Sequence, residues 1–422
     1  MRSVVATPLS SVIVLNLIWV FFFLSAFIVA AFKLWVLGDT KVFAELMTAM
    51  FSLSKTAFEI SLGLSGVLAL WLGIMRIGEH SGFINLLTKA LNPLFSRLMP
   101  EIPKDHPALG AMVMNIAANM LGLDNAATPM GIKAMQEMQT LNPHPERASD
   151  AQIMFLVINT SSVTLFPVTI FAYRAQLGAA NPTDVFIPIL IATYMSTLTG
   201  LLAVATVQKI NLLDKVVLSY LGGITALVGG ILAYFAGLDQ AEMLKQSALV
   251  SQVILFSLVV SFIAAAALKG LNAYELFVEG AKHGFQTAIT VIPYLVAMLV
   301  AFGVFRASGA LELITDGIRL LVNVAGIDNR FIDGLPTALM KPFSGSGARA
   351  MMIDTMQTRG ADSFAGRLVS VVQGSTETTF YVLAVYFGAV NIKQIRHAAA
   401  CGIVADLGGI VSAILVTYWF FG

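Results

Sequence analysis

About nine stretches of this chain are apolar for long enough to cross a bilayer, which takes roughly 20 helical residues. They are 12–36, 60–77 (the apolar part of a helix that starts near Ala44 and is amphipathic around Lys55 and Glu59), 151–173, 185–207, 216–236, 248–268, 280–305, 369–387 and 398–421. Backbone in lipid has no water to bond to, so such stretches must close their own hydrogen bonds as helices. Composition agrees. Only 12% of the 422 residues are charged and 57% are hydrophobic, with mean hydropathy +0.83, whereas soluble domains carry roughly 25% charged residues. An all-α polytopic membrane protein is expected. Stretch 12–36 reads as a retained helix, since its apolar core exceeds a signal peptide's and Arg2 is the only early positive charge.

Two polar segments of the second half break this pattern. Lys341-Pro342-Phe343-Ser344-Gly345-Ser346-Gly347-Ala348-Arg349 and Gln373-Gly374-Ser375-Thr376-Glu377-Thr378-Thr379 are dense in glycine, hydroxyls and charge. Glycine weakens helices, and Ser and Thr hydroxyls compete for backbone hydrogen bonds. Broken backbone at membrane depth survives only where it is buried in protein or lines a wet cavity. The first half has matching features at Gly122–Pro129 and Asn159–Ser162. Residues 108–123 are too short for an easy span, and with the helix expected after Asp124 or Asn125 they read as a re-entrant hairpin. Segment 83–98 mixes charge with leucine and reads as an interfacial helix, and 310–324 is likewise mixed.

The two halves match each other. His80-Ser81-Gly82-Phe83 pairs with Ala307-Ser308-Gly309-Ala310, and at the same spacing Lys55 pairs with Lys282 and Phe58 with Phe285. Asn125 to Met135 lies over Ser346 to Met356, and Asn159-Thr160-Ser161 over Gly374-Ser375-Thr376. Paired interruptions in repeated halves point to a transporter's central site. The expected organisation is two repeats, 1–210 and 246–422, each with a re-entrant hairpin and a broken helix. They are joined by 211–245, which carries one extra helix. An odd insertion inverts the second repeat. Lys and Arg in the first half favour a cytoplasmic N-terminus; several in the second half, such as Arg306 and Arg319, run against it.

Several function classes drop out. A net charge of +1 gives no case for nucleic acid. Cys401 alone excludes an internal disulfide and a cysteine metal cluster. No two of the five histidines stand at i, i+4, so no metal site is expected. Glycine-rich nucleotide loops are absent, which leaves passive or ion-coupled transport. No nucleophile–base pair supports an enzyme.

The candidate solute-binding residues are Asp124, Asn125, Thr128, Asn159, Thr160, Ser161, Ser344, Ser346, Arg349, Gln373, Ser375, Thr376 and Glu377. Asp124 and Asn125 serve equally well as helix caps, and the hydroxyls as glue between helices. Arg349 falls in a first helical turn, where the macrodipole opposes a cation. Glu377 is an intramembrane carboxylate, a functional candidate by default. The two are expected to form an ion pair that a solute anion would open; Arg367 is the other candidate partner for Glu377. Asp406 is a further carboxylate, either proton-coupling or a partner of Arg396.

Asp105-His106-Pro107-Ala108 and the run Gly122-Leu123-Asp124-Asn125-Ala126-Ala127-Thr128-Pro129-Met130-Gly131-Ile132-Lys133-Ala134-Met135 resemble spore maturation protein A. Pro293 to Val300, Ser344 to Arg349 and Gln373 to Tyr381 resemble spore maturation protein B. The chain is therefore similar to a natural fusion of the two over about residues 40–205 and 245–420. Both belong to the Gate, or nucleoside-recognition, group, which is also found in concentrative nucleoside transporters and ferrous-iron permeases. The resemblance implies a multi-pass bacterial inner-membrane protein without fixing a substrate. The leading expectation is a secondary transporter of a small polar, anionic or zwitterionic solute. That solute would bind between the hairpins near the midplane, with no resident cofactor and with H+ or Na+ as the coupling ion. The alternatives are a non-transporting scaffold in envelope or spore-type maturation, a membrane enzyme or lipid flippase, and a transporter of a neutral nucleoside-like solute. A homo-oligomer fits each of them.

Overall fold

The computed structural model describes residues 9–103, 105–120, 124–161 and 164–422; the side chains of 9–15, 84 and 124–126 lie outside the description. The described residues form helices and no β-strand. The first half contains α1 (Leu9–Leu37), α2 (Val42–His80), α3 (Phe83–Leu98), α4 (Pro107–Met120), α5 (Asp124–Thr140), α6 (Asp150–Thr160), α7 (Val168–Gln176) and α8 (Phe186–Gln208). After α9 (Lys215–Ala236) come α10 (Gln240–Leu268), α11 (Ala273–Ala307) and α12 (Ala310–Val324). A 3-10 turn at Arg330–Gly334 leads to α13 (Leu335–Met340), α14 (Gly345–Arg359), α15 (Phe364–Gly374), α16 (Thr379–Ala389) and α17 (Ala398–Phe421).

Among the described residues, seven unbroken helices are long and apolar enough to cross a membrane: α1, α2, α8, α9, α10, α11 and α17. The two remaining apolar stretches are each split, into α6 with α7 and α15 with α16. Helix starts follow local chemistry. Ser149 forms a capping box with Gln152, and Asp214, Asp239, Asn272 and Ser363 each accept a first-turn amide. The Asp239 cap lets α10 begin at Gln240, well before the apolar run at 248. Gly82 and Gly309, with φ of 89° and 86°, end α2 and α11 and turn the chain into the amphipathic α3 and α12.

Small residues let two helix pairs approach closely. A Cβ on Gly280 would meet Arg76, and one on Gly303 would strike Leu53. High numbers in α11 thus face low numbers in α2, so the two run antiparallel. In the same way Gly200 abuts Ala405 and Gly409 abuts Ser196, so α8 and α17 are antiparallel too. These are the most extensive helix pairs in the structure. Each joins the first half to the second. The Lys33 ammonium sits over Gly309, and the Lys269 ammonium over Gly82. Each lysine thereby places its charge at the C-terminal end of a long helix, where the macrodipole favours a cation.

Candidate functional site

The broken helices meet. The α6 carbonyl of Thr160, left without a helical partner, accepts the Glu377 backbone N–H at 2.7 Å, and the Thr376 hydroxyl oxygen lies 3.0 Å from it. The break in one half is therefore bonded to the break in the other. Ser161 and Ser375 turn their hydroxyls back to Val157 and Val372 of their own helices. Thr197 of α8 donates to the Ser161 carbonyl. On the other side, fully buried Asp406 of α17 accepts from Thr376 and from Thr379, each at 2.6 Å.

Beside this junction lies a cavity of about 110 Å³, lined by both halves. Asn119, Thr164, the first turn of α7 and Tyr173 come from one half; Lys341, Gly345, Arg349, Gln373 and Glu377 come from the other. Ser344 caps α14 by accepting the Gly347 N–H at 3.0 Å, and its hydroxyl lies 3.2 Å from that of Ser346. The guanidinium of Arg349 stands 5.8 Å from the Tyr173 ring centroid, a cation–π arrangement. Lys341 is buried at 4% exposure. Gln373 is buried as well; its amide N–H approaches the Gly345 carbonyl at 3.5 Å, while its Oε1 has no partner among the described residues. Two positive side chains, two helix N-termini and one carboxylate thus surround a small space. Helix N-termini and guanidinium groups both favour anions.

The expected ion pair between Arg349 and Glu377 is not formed. Arg349 leans on Tyr173, and Glu377 is exposed rather than buried, anchored through its backbone to Thr160. Glu377 does not pair with Arg367 either, since Arg367 is held by Asp184. Asp406 does not pair with Arg396, which binds Asp150 at 2.7 Å and the Ala148 carbonyl. Asp406 lies eight residues into α17 from Ala398, about 12 Å up the helix from the end beside Arg396. Asn159 is buried behind the cavity and receives the Asn119 amide at 2.8 Å. Thr128 is part-buried in α5. The side chains of Asp124 and Asn125, and the expected hairpin tip at Gly122, lie outside the described residues. The second hairpin turns at 341–344, so Arg349 stands on α14 itself.

Lys341, Tyr173 and Asn119 were not among the candidates. Lys341 carried a usable signal, a lysine between apolar and glycine-rich segments. Tyr173 and Asn119 reach the cavity only through tertiary packing. A second set of charges was also missed. Fully buried Arg174 donates to Asp184 at 2.8 Å, to Asp362 at 3.2 Å and to the Ala361 and Pro182 carbonyls. Arg367 holds the other oxygen of Asp184 at 2.8 Å. This cluster ties the α7–α8 loop to the α14–α15 loop. A second clasp ties the α5–α6 loop to the α16–α17 loop, through Lys393 to Glu146 at 2.6 Å and Arg396 to Asp150.

The chain matches the Gate family, described as nucleoside recognition, over residues 61–177 and 288–393, more than half of its length. It is 46% identical over 148 residues to spore maturation protein A of Bacillus subtilis (strain 168), covering 35% of this chain and 76% of that protein. It is 48% identical over 155 residues to spore maturation protein B of the same organism, covering 37% of this chain and 85% of that protein. No solved structure matches significantly. With its membrane-length helices and its likeness to both proteins at once, this multi-pass membrane chain belongs to the Gate family and unites spore maturation protein A-like and B-like sequence in one polypeptide.

Proposed function

We propose that this protein is a secondary transporter in a bacterial inner membrane. Its solute is small, polar and carries at least one negative charge, and it binds where the two halves meet. The observation that carries this reading is the convergence of Lys341, Arg349 and the N-terminal turns of α7 and α14 on one cavity. Glu377 and the Gln373 Oε1, which has no partner among the described residues, add acceptors suited to an ammonium, so a zwitterion fits. The family description names nucleoside recognition, but drug-sized ligands occupy roughly 300–1,000 Å³. A cavity of about 110 Å³ favours something smaller.

The antiparallel pairing of α2 with α11 and of α8 with α17 supports two inverted repeats about an axis in the membrane plane. The two charged clasps support alternating access. One gathers at the N-terminal end of α8 through Asp184; the other lies at its C-terminal end, where Gln208 donates to the Asp150 carbonyl. Those ends are 23 residues apart, about 34 Å, or roughly the thickness of a bilayer core. Opening one clasp while the other holds would expose the cavity to one side at a time.

Thermal-shift measurements on purified protein with small carboxylates, amino acids and nucleosides test the reading. A charged solute should stabilise the wild type and lose most of that effect in Arg349→Lys, which keeps the charge but not the planar fork. Stabilisation by neutral nucleosides alone, equal in both proteins, would overturn it.

A further inference from the structure

The Thr376 hydroxyl has more acceptors than protons. Asp406 Oδ1 lies 2.6 Å away, the Thr160 carbonyl 3.0 Å and the Glu377 carbonyl 3.3 Å, yet a hydroxyl donates only one hydrogen bond. With Asp406 ionised, that proton goes to the carboxylate, and the Thr160 carbonyl keeps only the Glu377 N–H. With Asp406 protonated on Oδ1, the carboxyl donates to Thr376, and Thr376 is released to donate to Thr160, the nearer of the two carbonyls in its reach. Thr379 satisfies Oδ2 in either case. Asp406 sits on α17 in the second half and Thr160 ends α6 in the first. Its protonation state therefore selects whether a second hydrogen bond joins the two broken helices.

We propose that Asp406 is the coupling site of this protein and that the ion it takes is a proton, which stays on the carboxyl and is sensed at the junction between the halves through the switched hydrogen bond of Thr376. Geometry favours a proton over a metal cation. Hydroxyl and carboxylate oxygens 2.6 Å apart are already in hydrogen-bond contact and leave no room for an ion between them. Among the described residues, the charged groups that face Asp406 are Lys341 and Glu377. α8 presents only neutral groups: Ser196 donates to the Ala405 carbonyl, and Thr197 to that of Ser161. Lys341 also lines the solute cavity. When Asp406 takes a proton from water, the field of Lys341 is no longer offset by that carboxylate and falls on a solute anion. Proton and anion then enter together, with no net charge added.

The proposal rests on the transport reading for its purpose, but proton uptake is measured without a solute. The probe is pH itself, followed by infrared spectroscopy of the purified full-length protein in lipid, with wild type, Asp406→Asn and Thr376→Val compared. The carbonyl band of a protonated aspartic acid should appear as pH falls, shift with carbon-13 aspartate labelling and be lost in Asp406→Asn. In Thr376→Val the band should remain but move to higher frequency, because the carboxyl has lost its hydroxyl acceptor. A folded Thr376→Val protein keeps the test valid if Asp406→Asn fails to assemble. The assignment is overturned if no aspartic band titrates, if the band survives Asp406→Asn, or if sodium rather than pH changes it. Such a result would leave the solute site standing, since solute-induced stabilisation is read independently.

Discussion

Arg174 is the side chain whose loss should cost the fold most. It is fully buried and joins Asp184, Asp362 and two backbone carbonyls across the two halves. Arg174→Met keeps much of the volume but strands a buried carboxylate at Asp184, which is 4% exposed. Breaking a buried pair from one side costs roughly 3–5 kcal/mol. Because Arg367 still holds the second oxygen of Asp184 at 2.8 Å, the lower end, about 3 kcal/mol, is expected. Set against a total of roughly 5–15 kcal/mol for a folded domain, that is a large fraction. The double variant Arg174→Met with Asp184→Leu removes both charges and should recover much of the loss, since an apolar replacement of a buried pair is often neutral. Arg367 would remain held by the Asp362 carbonyl and stacked on Phe421. Heating followed by size exclusion gives the ranking: wild type above double, double above single. A single variant as stable as wild type, or a double variant worse than the single, would refute the reasoning.

Two other perturbations follow from local geometry. Gly309→Ala and Gly82→Ala force a side chain onto φ of 86° and 89° and into the ammonium groups of Lys33 and Lys269. Each should lower stability by about 1–2 kcal/mol, whereas Gly317→Ala, in open space on α12, should be neutral or stabilising. At the α12–α13 loop, the Arg330 guanidinium, with help from the Arg330 amide and the Tyr418 hydroxyl, lowers the Asp328 carboxyl to about 2. A depressed carboxylate stabilises the fold above the ordinary carboxylate range, and that contribution fades as pH falls towards about 2. Wild type and Asp328→Asn should therefore differ in thermal stability at neutral pH and converge in acid; a gap unchanged by pH would count against the pairing.

The membrane class and most helices were legible because hydropathy and glycine act locally. Gly82 and Gly309 mark the starts of α3 and α12, and the hydroxyl-rich runs after Asn159 and Gln373 mark where helices end. That Thr160 and Thr376 would meet was suggested by the repeat, and the carbonyl that joins them follows from the orphan groups at a helix end. Ionic partners were less legible. Arg396 and Asp406 look close in sequence, but helical rise separates them, and Asp150 reaches Arg396 from another loop. Charge alone pairs Arg349 with Glu377, yet Arg349 lies over the aromatic face of Tyr173. Pairing of this kind is set by tertiary packing, which periodicity does not encode. Arg174 shows the same limit, since its partners lie in the α7–α8 and α14–α15 loops.

The most direct test of the central claim is untargeted uptake. Proteoliposomes carrying the full chain are incubated with a bacterial metabolite extract under an imposed pH gradient, washed, and their contents identified by mass spectrometry. Enrichment of a small carboxylate or zwitterion over empty liposomes is predicted, driven by the gradient and lost in Arg349→Lys. The account is contradicted if nothing is enriched, or if the enriched solute is uncharged and enters the Arg349→Lys vesicles equally well.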